Sequence, residues 1–487
     1  MPYLTNKSTG FPAWYTISFL GSLGILNTFA MCFNFNIMFY RLVKAPINTY
    51  NNETDENFSD CPQVMDSNMT DETNNHSEFT WDFKTQRVVL ESFFYGFCLS
   101  QIPAGFSSDV YGGKWPFGIS VLVTALACLL IPSAARTSNG ALISVRVVQG
   151  MAAGISVPSI NTLLAKWVPK LERSSHSAFI LNGIPLSNVY TYIIIAFLLK
   201  NEVYGSWSLF YLQGTISVVW FLFWSILIFE SPEDHKFLSE SEVKELRKSQ
   251  DREVKIPLNI YEVPWKAVMT STKMWALIVA HSGYCWNYAT LIVDFPIYFS
   301  KVLKYDVIKS SLESSLIFVS SAVFSFSSGI IADSLRMKSY YTITTIRKIM
   351  NSFAFFVPAL CLIPIPYVGC EGRFIFSLQL FANAFIGVAN SGFRVTHIDM
   401  CPELAGILVA ITGTFGSIFG CFAVAYNEWI LQTGHSSKNW KIVFFTSAAV
   451  IYVAGMIYNF FVDSEEQEWV SDVKPVDENT EAPEKEK

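Results

Sequence analysis

Apolar stretches recur along this chain to its end, at lengths near the ~20 residues that cross a lipid bilayer as a helix. Only 15% of the residues are charged, whereas soluble domains carry about 25%. We therefore predict an all-α membrane protein with twelve transmembrane helices in two six-helix halves. The predicted spans are 15–40, 87–106, 115–134, 141–164, 177–199, 207–229, 274–299, 312–332, 346–366, 374–396, 405–426 and 440–462.

Two long polar loops predict the orientation of the chain. The first loop, 41–86, carries four glycosylation acceptors, which favour an external side: Asn52, Asn57, Asn68 and Asn75. The central loop, 230–273, holds eight Lys and Arg residues, which favours the cytosol. Within this loop, the Ser-Glu-Ser-Glu sequence at 239–242 resembles a capping box and predicts a short amphipathic helix through Lys248.

These signals divide the chain into five regions. We expect both termini in the cytosol, a glycosylated external loop at 41–86, and a disordered acidic tail. The regions are an N-terminal segment 1–14, a six-helix half 15–229, the central loop 230–273, a second six-helix half 274–462 and a tail 463–487.

A ten-residue pattern occurs once in each half and indicates that the halves are duplicates. The pattern reads Gly, three residues, Asp, four residues, Lys. It comprises Gly105, Asp109 and Lys114 in the first copy, and Gly329, Asp333 and Lys338 in the second. Gly permits close helix approach, and Asp can pair with a cation or meet a helix N-terminus. The alternative is that each copy is only a tight polar turn.

Polar residues inside the spans are candidates for an anion site, because polarity there is unfavourable and is usually functional. Arg146 is followed on its helix face by small residues that predict a groove beside it. Arg394 belongs to a predicted polar stripe in the tenth span, with Asn383, Gly387, Asn390 and His397 at helical spacing. With Asn34 in the first span, Arg146, Arg394 and Asn390 suit a carboxylate or phosphate. Alternatively, the arginines extend to the membrane surfaces and the amides join helices.

Coupling to an ion gradient requires a titratable acid or a cation site. The candidates are Asp294 in the seventh span, and His397 with Asp399 at the end of the tenth. Glu91 is a further acid in the second span, and a position at the water interface is favoured for Glu91 and Asp399.

Several of these stretches resemble solute carrier family 17, which includes sialin, the vesicular glutamate transporters and the sodium–phosphate cotransporters. The resemblance covers nearly the whole chain from the first span. It is carried by residues 92–96 (Ser-Phe-Phe-Tyr-Gly), 101–103 (Gln-Ile-Pro), 146–150 (Arg-Val-Val-Gln-Gly), 166–174 (Lys-Trp-Val-Pro-Lys-Leu-Glu-Arg-Ser) and 347–351 (Arg-Lys-Ile-Met-Asn). The long first loop is similar to that of insect members described as inorganic phosphate cotransporters. The resemblance implies the major facilitator fold and anion transport coupled to protons or sodium, or driven by membrane potential.

The resemblance also shows where this chain departs from the family. Arg146 matches the fourth-span arginine that the family implies faces the anion. At the family's first-span Arg, fourth-span Glu and fourth-span His, this chain has Cys32, Ala153 and Asn161. Arg394 stands at a family Asn. The missing Glu removes the proton-coupling acid that the family implies.

The sequence therefore predicts a secondary active transporter of small anions, inorganic phosphate or an organic carboxylate, coupled to sodium or protons. The alternatives are a transporter-like sensor or scaffold, and an uncoupled anion channel. No nucleophile–base motif, metal cluster or phosphate-cradling loop indicates an enzyme or a cofactor. We expect a monomer in the plasma membrane or a vesicular or lysosomal membrane, with no nucleic-acid partner. Cys61 and Cys370 fall in loops and can pair if both face an oxidising side.

Overall fold

A computed structural model describes residues 12–43, 78–200, 207–235, 238–250, 263–303 and 307–467. Within these ranges the regular structure is helical, apart from one isolated bridge between Val43 and Phe79. The predicted all-α class is confirmed. The four glycosylation acceptors, Cys61 and the chain from 468 onward lie outside the described residues.

The described helices form twelve spans in the predicted order. They are Ala13–Leu42, Phe83–Tyr111, Lys114–Thr137, Asn139–Trp167, Arg173–Leu181 with Gly183–Lys200, Ser208–Leu227, Thr272–Ala289 with Phe295–Lys301, Val307–Met337, Ile343–Leu362, Gly372–Gly387 with Phe393–Met400, Ala405–Leu431 and Ser437–Phe461. Ten helical segments within the described residues are long and apolar enough to cross a membrane. The second span is not among these ten, and it carries four charged residues. The seventh is also absent, and a π-helical turn interrupts it.

Side-chain caps set several helix starts. Ser138 accepts a hydrogen bond from the Ala141 backbone at the fourth span, and Thr342 accepts one from Thr345 at the ninth. In the central loop, the predicted helix is confirmed as Glu240–Ser249 with a capping box. Hydrogen bonds from the Ser239 backbone and hydroxyl lower the pKa of the Glu242 carboxyl.

Each half packs around its own apolar core. Phe355, Phe393 and Phe444 lie in the core of the C-terminal half, and Trp220 and Trp224 in that of the N-terminal half. We call the end of the bundle with the central loop the central-loop side, and the opposite end the first-loop side. Because the spans alternate in direction, the fourth and tenth spans both run from the first-loop side to the central-loop side.

Candidate functional site

The aspartates of the duplicated pattern each cap a helix of the opposite half, on the central-loop side. Asp109 accepts hydrogen bonds from the backbone of Gly406 (3.0 Å) and Ile407 (2.8 Å), at the start of the eleventh span. Asp333 accepts them from Ser174 (3.1 Å) and Ser175 (2.7 Å), at the start of the fifth. The first N–H groups of a helix lack intrahelical partners, and the helix dipole favours an anion there. The pattern therefore joins the halves by two equivalent caps, and the predicted contact with a helix N-terminus is confirmed.

The glycines of the pattern allow the two halves to approach closely at these caps. A Cβ at Gly105 would lie 2.6 Å from the Ala410 Cβ and from the Gly406 carbonyl oxygen. A Cβ at Gly329 would lie 2.9 Å from the carbonyl oxygen of Ser174. Glycine thus allows the backbones of opposite halves to touch. The lysines do not join these caps: Lys114 lies over aromatic rings of its own half, and Lys338 is exposed.

A buried cluster of charges reinforces this closed interface. The Asp399 carboxylate is 2.8 Å from Arg347, 3.5 Å from Arg336 and 3.9 Å from Arg173 of the other half. Arg347 also donates to the Ser174 hydroxyl across the interface (2.8 Å). A buried carboxylate engaged by three guanidinium groups is a structural partner, because removal of one member leaves a buried charge uncompensated. The sequence suggested Asp399 as a coupling acid. The structure shows instead a carboxylate that is held by three arginines.

Two further acidic residues accept hydrogen bonds within their own half, Glu230 from a helix backbone and Asp463 from side chains. Glu230 accepts from the Lys114 backbone (2.9 Å) at the start of the third span. Asp463 accepts from the Thr344 hydroxyl (3.0 Å) and from Lys273 (2.9 Å), all in the C-terminal half. These contacts do not cross from one half to the other.

Arg146 lies fully buried in the fourth span, near the first-loop side. Its guanidinium donates to Gln149 (2.8 Å) and Asn36 (3.4 Å), and lies 4.3 Å and 5.0 Å from the ring centroids of Phe35 and Phe93. Its Nε has no hydrogen-bond partner. Among the described residues, no carboxylate pairs with it. A desolvated guanidinium without an acid is unfavourable by itself and suits a bound anion.

Two of the positions where this chain departs from the family lie in a cluster beside Arg146. Cys32 and Ala153 are buried in one apolar cluster with Phe93, whose ring lies beside the arginine. The family's Arg and Glu are thus replaced by neutral residues that pack together. The small residues after Arg146 do not form an open groove. A Cβ at Gly150 would overlap the Phe93 carbonyl oxygen, so these residues bring the second and fourth spans together.

Arg394 belongs to a second polar cluster, in the C-terminal half. Its guanidinium lies 4.7 Å from the ring centroid of Tyr284, its Nε has no partner, and no described carboxylate pairs with it. Nearby, the Thr412 hydroxyl lies 2.8 Å from Nε2 of His397 and 3.1 Å from Nδ1 of His281. Sequence reasoning missed His281 and Thr412, although a histidine inside an apolar run is a signal that could have been used.

The prediction of one continuous polar stripe on the tenth span is wrong. A 3₁₀ turn at Val388–Ser391 interrupts the α-helix, so the side chains before and after the turn do not share one helix face. Asn390 bonds to the Ser325 hydroxyl of the eighth span (2.9 Å), and Asn383 bonds to the backbone of its own helix. Asn390 therefore joins two spans, whereas His397 reaches the eleventh.

The two arginines lie at different depths. Arg146 is the eighth of 29 residues in Asn139–Trp167, and Arg394 is the twenty-third of 29 in Gly372–Met400. Both spans run in the same direction, so Arg146 lies nearer the first-loop side and Arg394 nearer the central-loop side.

Asp294 is buried in a π-helical turn, Thr290–Asp294, within the seventh span. Its carboxylate accepts a 2.6 Å hydrogen bond from the Asn427 amide of the eleventh span. Within the described part of the chain, no basic side chain pairs with it. π-Turns often occur at functional sites, and an isolated acid at membrane depth is a functional candidate.

The remaining candidates have less distinctive surroundings. Glu91 is 37% exposed, pairs with Arg87 (2.7 Å) and accepts from Tyr95 (2.6 Å), which agrees with an interface position. Asn34 is fully buried and neither atom of its amide has a partner, so it lacks the helix-joining bond proposed as its alternative role. Cys370 is disulfide-bonded, whereas the seven other cysteines among the described residues are free.

Comparisons with known proteins define the class of this chain. The family model described as Major Facilitator Superfamily matches residues 22–424, so the chain belongs to that superfamily of membrane transporters. The structure of the proton:xylose symporter XylE has a TM-score of 0.65 at 12% identity, covering 93% of this chain and 97% of that one. At that identity the likeness shows the fold alone. The human organic anion transporter MFSD10 has a TM-score of 0.64, also at 12% identity, covering 92% of this chain and 100% of that one.

Sequence relatives narrow the class. The chain is 29% identical to human sialin, over 94% of this chain and 90% of the relative. It is 30% identical to the "Putative inorganic phosphate cotransporter" of Drosophila melanogaster, over 94% of this chain and 86% of the relative. It is also 30% identical to vesicular glutamate transporter 1 of Xenopus tropicalis, over 98% of this chain and 79% of the relative. The chain belongs to solute carrier family 17, as its motifs indicated.

Proposed function

We propose that this protein is a secondary active transporter that moves a small anion, inorganic phosphate or an organic carboxylate, by alternating access. The observation that carries the proposal is Arg146, a buried guanidinium without a described acid partner, in a chain of this family. Guanidinium binds carboxylate and phosphate bidentately. The Phe35 and Phe93 rings beside it exclude water and strengthen its attraction for an anion.

The duplicated caps support alternating access. We infer that the central-loop side is cytosolic, so that the structure corresponds to a state closed toward the cytosol. Opening that side requires Asp109 and Asp333 to leave the helices that they cap, and the Asp399 cluster to separate. Because the arginines lie at different depths, Arg146 binds the anion first and Arg394 receives it later in the cycle.

Coupling is proposed to use sodium or protons, with Asp294 as the leading group and His397 as the second. Both lie in the C-terminal half, whereas Arg146 lies in the N-terminal half. Ion and anion would then bind opposite halves and favour their closure together. We propose a monomer in the plasma membrane or a vesicular or lysosomal membrane, with both termini in the cytosol.

The test is uptake of labelled phosphate, and then of labelled organic acids, by cells expressing Arg146→Ala. Uptake should fall to background while the surface amount is unchanged. Arg136→Ala is the matched control, because Arg136 is an exposed arginine paired with Glu78 on the first-loop side, and it should transport normally. Wild-type uptake by Arg146→Ala would remove this arginine from the site. Replacing sodium by choline, at two external pH values, identifies the coupling ion.

A second candidate is an anion sensor or an uncoupled anion channel. The apolar packing of Cys32 and Ala153, at the family's Arg and Glu positions, is the observation that favours it. A sensor would bind the anion without accumulating it in sealed vesicles. A channel would give currents that follow the anion gradient and do not depend on any cation gradient.

A further inference from the structure

The π-helical turn in the seventh span places an unusual set of oxygen atoms around Asp294. The turn, Thr290–Asp294, separates two α-helical segments of one span. Interrupted helices in transporters free backbone carbonyl groups that can hold small cations. The residues that surround the turn come from the eleventh and twelfth spans, so three helices of the C-terminal half meet here.

The charge at this position lacks a partner. The Asp294 side chain is 3% exposed, and its described polar contact is the Asn427 amide at 2.6 Å. No lysine, arginine or histidine within the described ranges forms an ion pair with it. A buried carboxylate is stable only when it is protonated or when a cation accompanies it. The structure therefore requires either a proton or a bound ion at Asp294.

Two hydroxyl groups lie beside the Asn427 amide. The hydroxyls of Thr290 and Ser447 lie 2.9 Å apart, and the Asn427 amide nitrogen lies 3.4 Å from the Thr290 oxygen. The Trp286 indole nitrogen donates to the Ser447 oxygen (3.2 Å), and the Thr290 hydroxyl donates to the Trp286 carbonyl oxygen (3.2 Å). Asn427 is fully buried, and its Oδ1 has no hydrogen-bond partner. Rotation of the amide by half a turn would direct this oxygen toward Asp294. Two oxygens facing each other are unfavourable unless a cation lies between them.

The set of ligands matches one class of ion. Carboxylate, amide and hydroxyl oxygens bind hard cations, and divalent sites normally contain several carboxylates. Here the single described carboxylate is Asp294, which balances one positive charge. We propose that Asp294, Asn427, Thr290 and Ser447 form a binding site for one sodium ion. The inference rests on the proposed transport function, for which it identifies the coupling ion and its position.

The eleventh span connects this site to the closed interface. Asn427 lies near one end of Ala405–Leu431, and Asp109 of the other half caps the opposite end at Gly406 and Ile407. Sodium binding that breaks the Asn427–Asp294 hydrogen bond and repositions Asn427 acts on the same helix that holds the halves together. This arrangement gives the ion a direct effect on the equilibrium between open and closed states.

The experiment is equilibrium binding of radioactive sodium to the purified full-length protein in nanodiscs, without any anion. The wild type should bind sodium saturably, and Asp294→Asn should not. Ser447→Ala removes one neutral oxygen and should weaken affinity by about tenfold while leaving the fold intact. Glu91→Gln is the matched control, because this acid is exposed and paired with Arg87, and it should bind as the wild type does.

The measurement separates this site from the transport proposal. Arg146→Ala should retain sodium binding, so loss of anion uptake with intact sodium binding supports both proposals. Absence of saturable sodium binding in the wild type overturns the sodium site, whatever the outcome of the uptake assay. Proton release from Asp294 on acid–base titration, without any effect of sodium, would assign the position to a proton and also overturn it. Equal competition by potassium would overturn the assignment to sodium.

Discussion

The two caps between the halves should set how often the central-loop side opens. The perturbation is the double substitution Asp109→Asn with Asp333→Asn, which keeps the size of each side chain and removes its charge. Each aspartate accepts two backbone hydrogen bonds from a helix of the other half. Asparagine retains one acceptor oxygen, so each cap is weakened and the folded halves stay intact.

The magnitude follows from the lost interactions. Removal of a helix cap costs about 0.5–2 kcal/mol, and the charge–dipole attraction contributes about 0.3–1 kcal/mol. Because one acceptor remains, we take about 1 kcal/mol per aspartate, which is about a fivefold shift toward the open state. The two caps lie on separate helix pairs and should act additively, so the double variant should open about 30 times more often.

A buried thiol already present in the chain can report the opening. Cys401 is fully buried beside the helix start that Asp109 caps, and its thiol contacts Glu403. An impermeant maleimide, added from the central-loop side of open membranes, should label Cys401 at a rate proportional to the open fraction. Mass spectrometry of the Cys401 peptide measures this rate, and Cys401→Ser gives the background.

The matched control is Asp463→Asn, because Asp463 bonds to Thr344 and Lys273 within one half. This variant should leave Cys401 labelling unchanged. A double variant labelled at the wild-type rate would refute the gating role of the caps. An equal increase in the Asp463 variant would show that labelling reports general loosening and not separation of the halves.

Four other predictions test separate parts of the structure. Gly105→Leu should reduce uptake, because its side chain would collide with Ala410. Gly140→Leu should not, because the nearest atom to a Cβ there lies 4.0 Å away. Equal loss of uptake in the two variants, at similar surface amounts, would contradict this prediction. Cys98 and Cys421 thiols contact each other across the second and eleventh spans, so oxidation by copper–phenanthroline should arrest uptake, and Cys98→Ser should abolish that sensitivity. Because Cys370 is disulfide-bonded, peptide mapping without reductant should recover it joined to Cys61; a free Cys61 thiol would disprove the pair. Glycosidase should increase the gel mobility of the protein, and replacing all four acceptors of the first loop by Gln should remove that shift. If a surface-expressed wild type shows no shift, the external position of the first loop is supported by loop charge alone.

Local patterns predicted the fold and several individual contacts. Apolar length determines which segments cross the bilayer, and the order of the twelve described spans is as expected. The capping box at Ser239 formed because both of its bonds lie within four residues of chain. The duplicated Gly and Asp positions were recognisable because a backbone contact limits side-chain size, and a helix start favours an acid.

The partners of buried polar residues could not be predicted in the same way. The sequence groups Arg146 and Arg394 in one anion site, but Arg146 lies nearer the first-loop side and Arg394 nearer the central-loop side, each beside aromatic rings of its own half. The sequence makes Asp399 a coupling candidate, but three arginines distant in sequence surround it in the structure. The polar stripe of the tenth span assumed an unbroken helix, and the 3₁₀ turn at Val388–Ser391 directs its residues to different neighbours.

By itself, the sequence determined that this chain is a two-half helical membrane protein of an anion-transporter family, because hydrophobic length, turns and motifs act over short distances. Only the tertiary structure decided which charges are neutralised and which are left without a partner. Asp294 lies in a predicted span and Asp399 at the end of another, yet Asp294 has no described cation and Asp399 has three. The difference arises because the helices that surround each carboxylate are brought together by packing across the whole bundle, which sequence spacing does not specify.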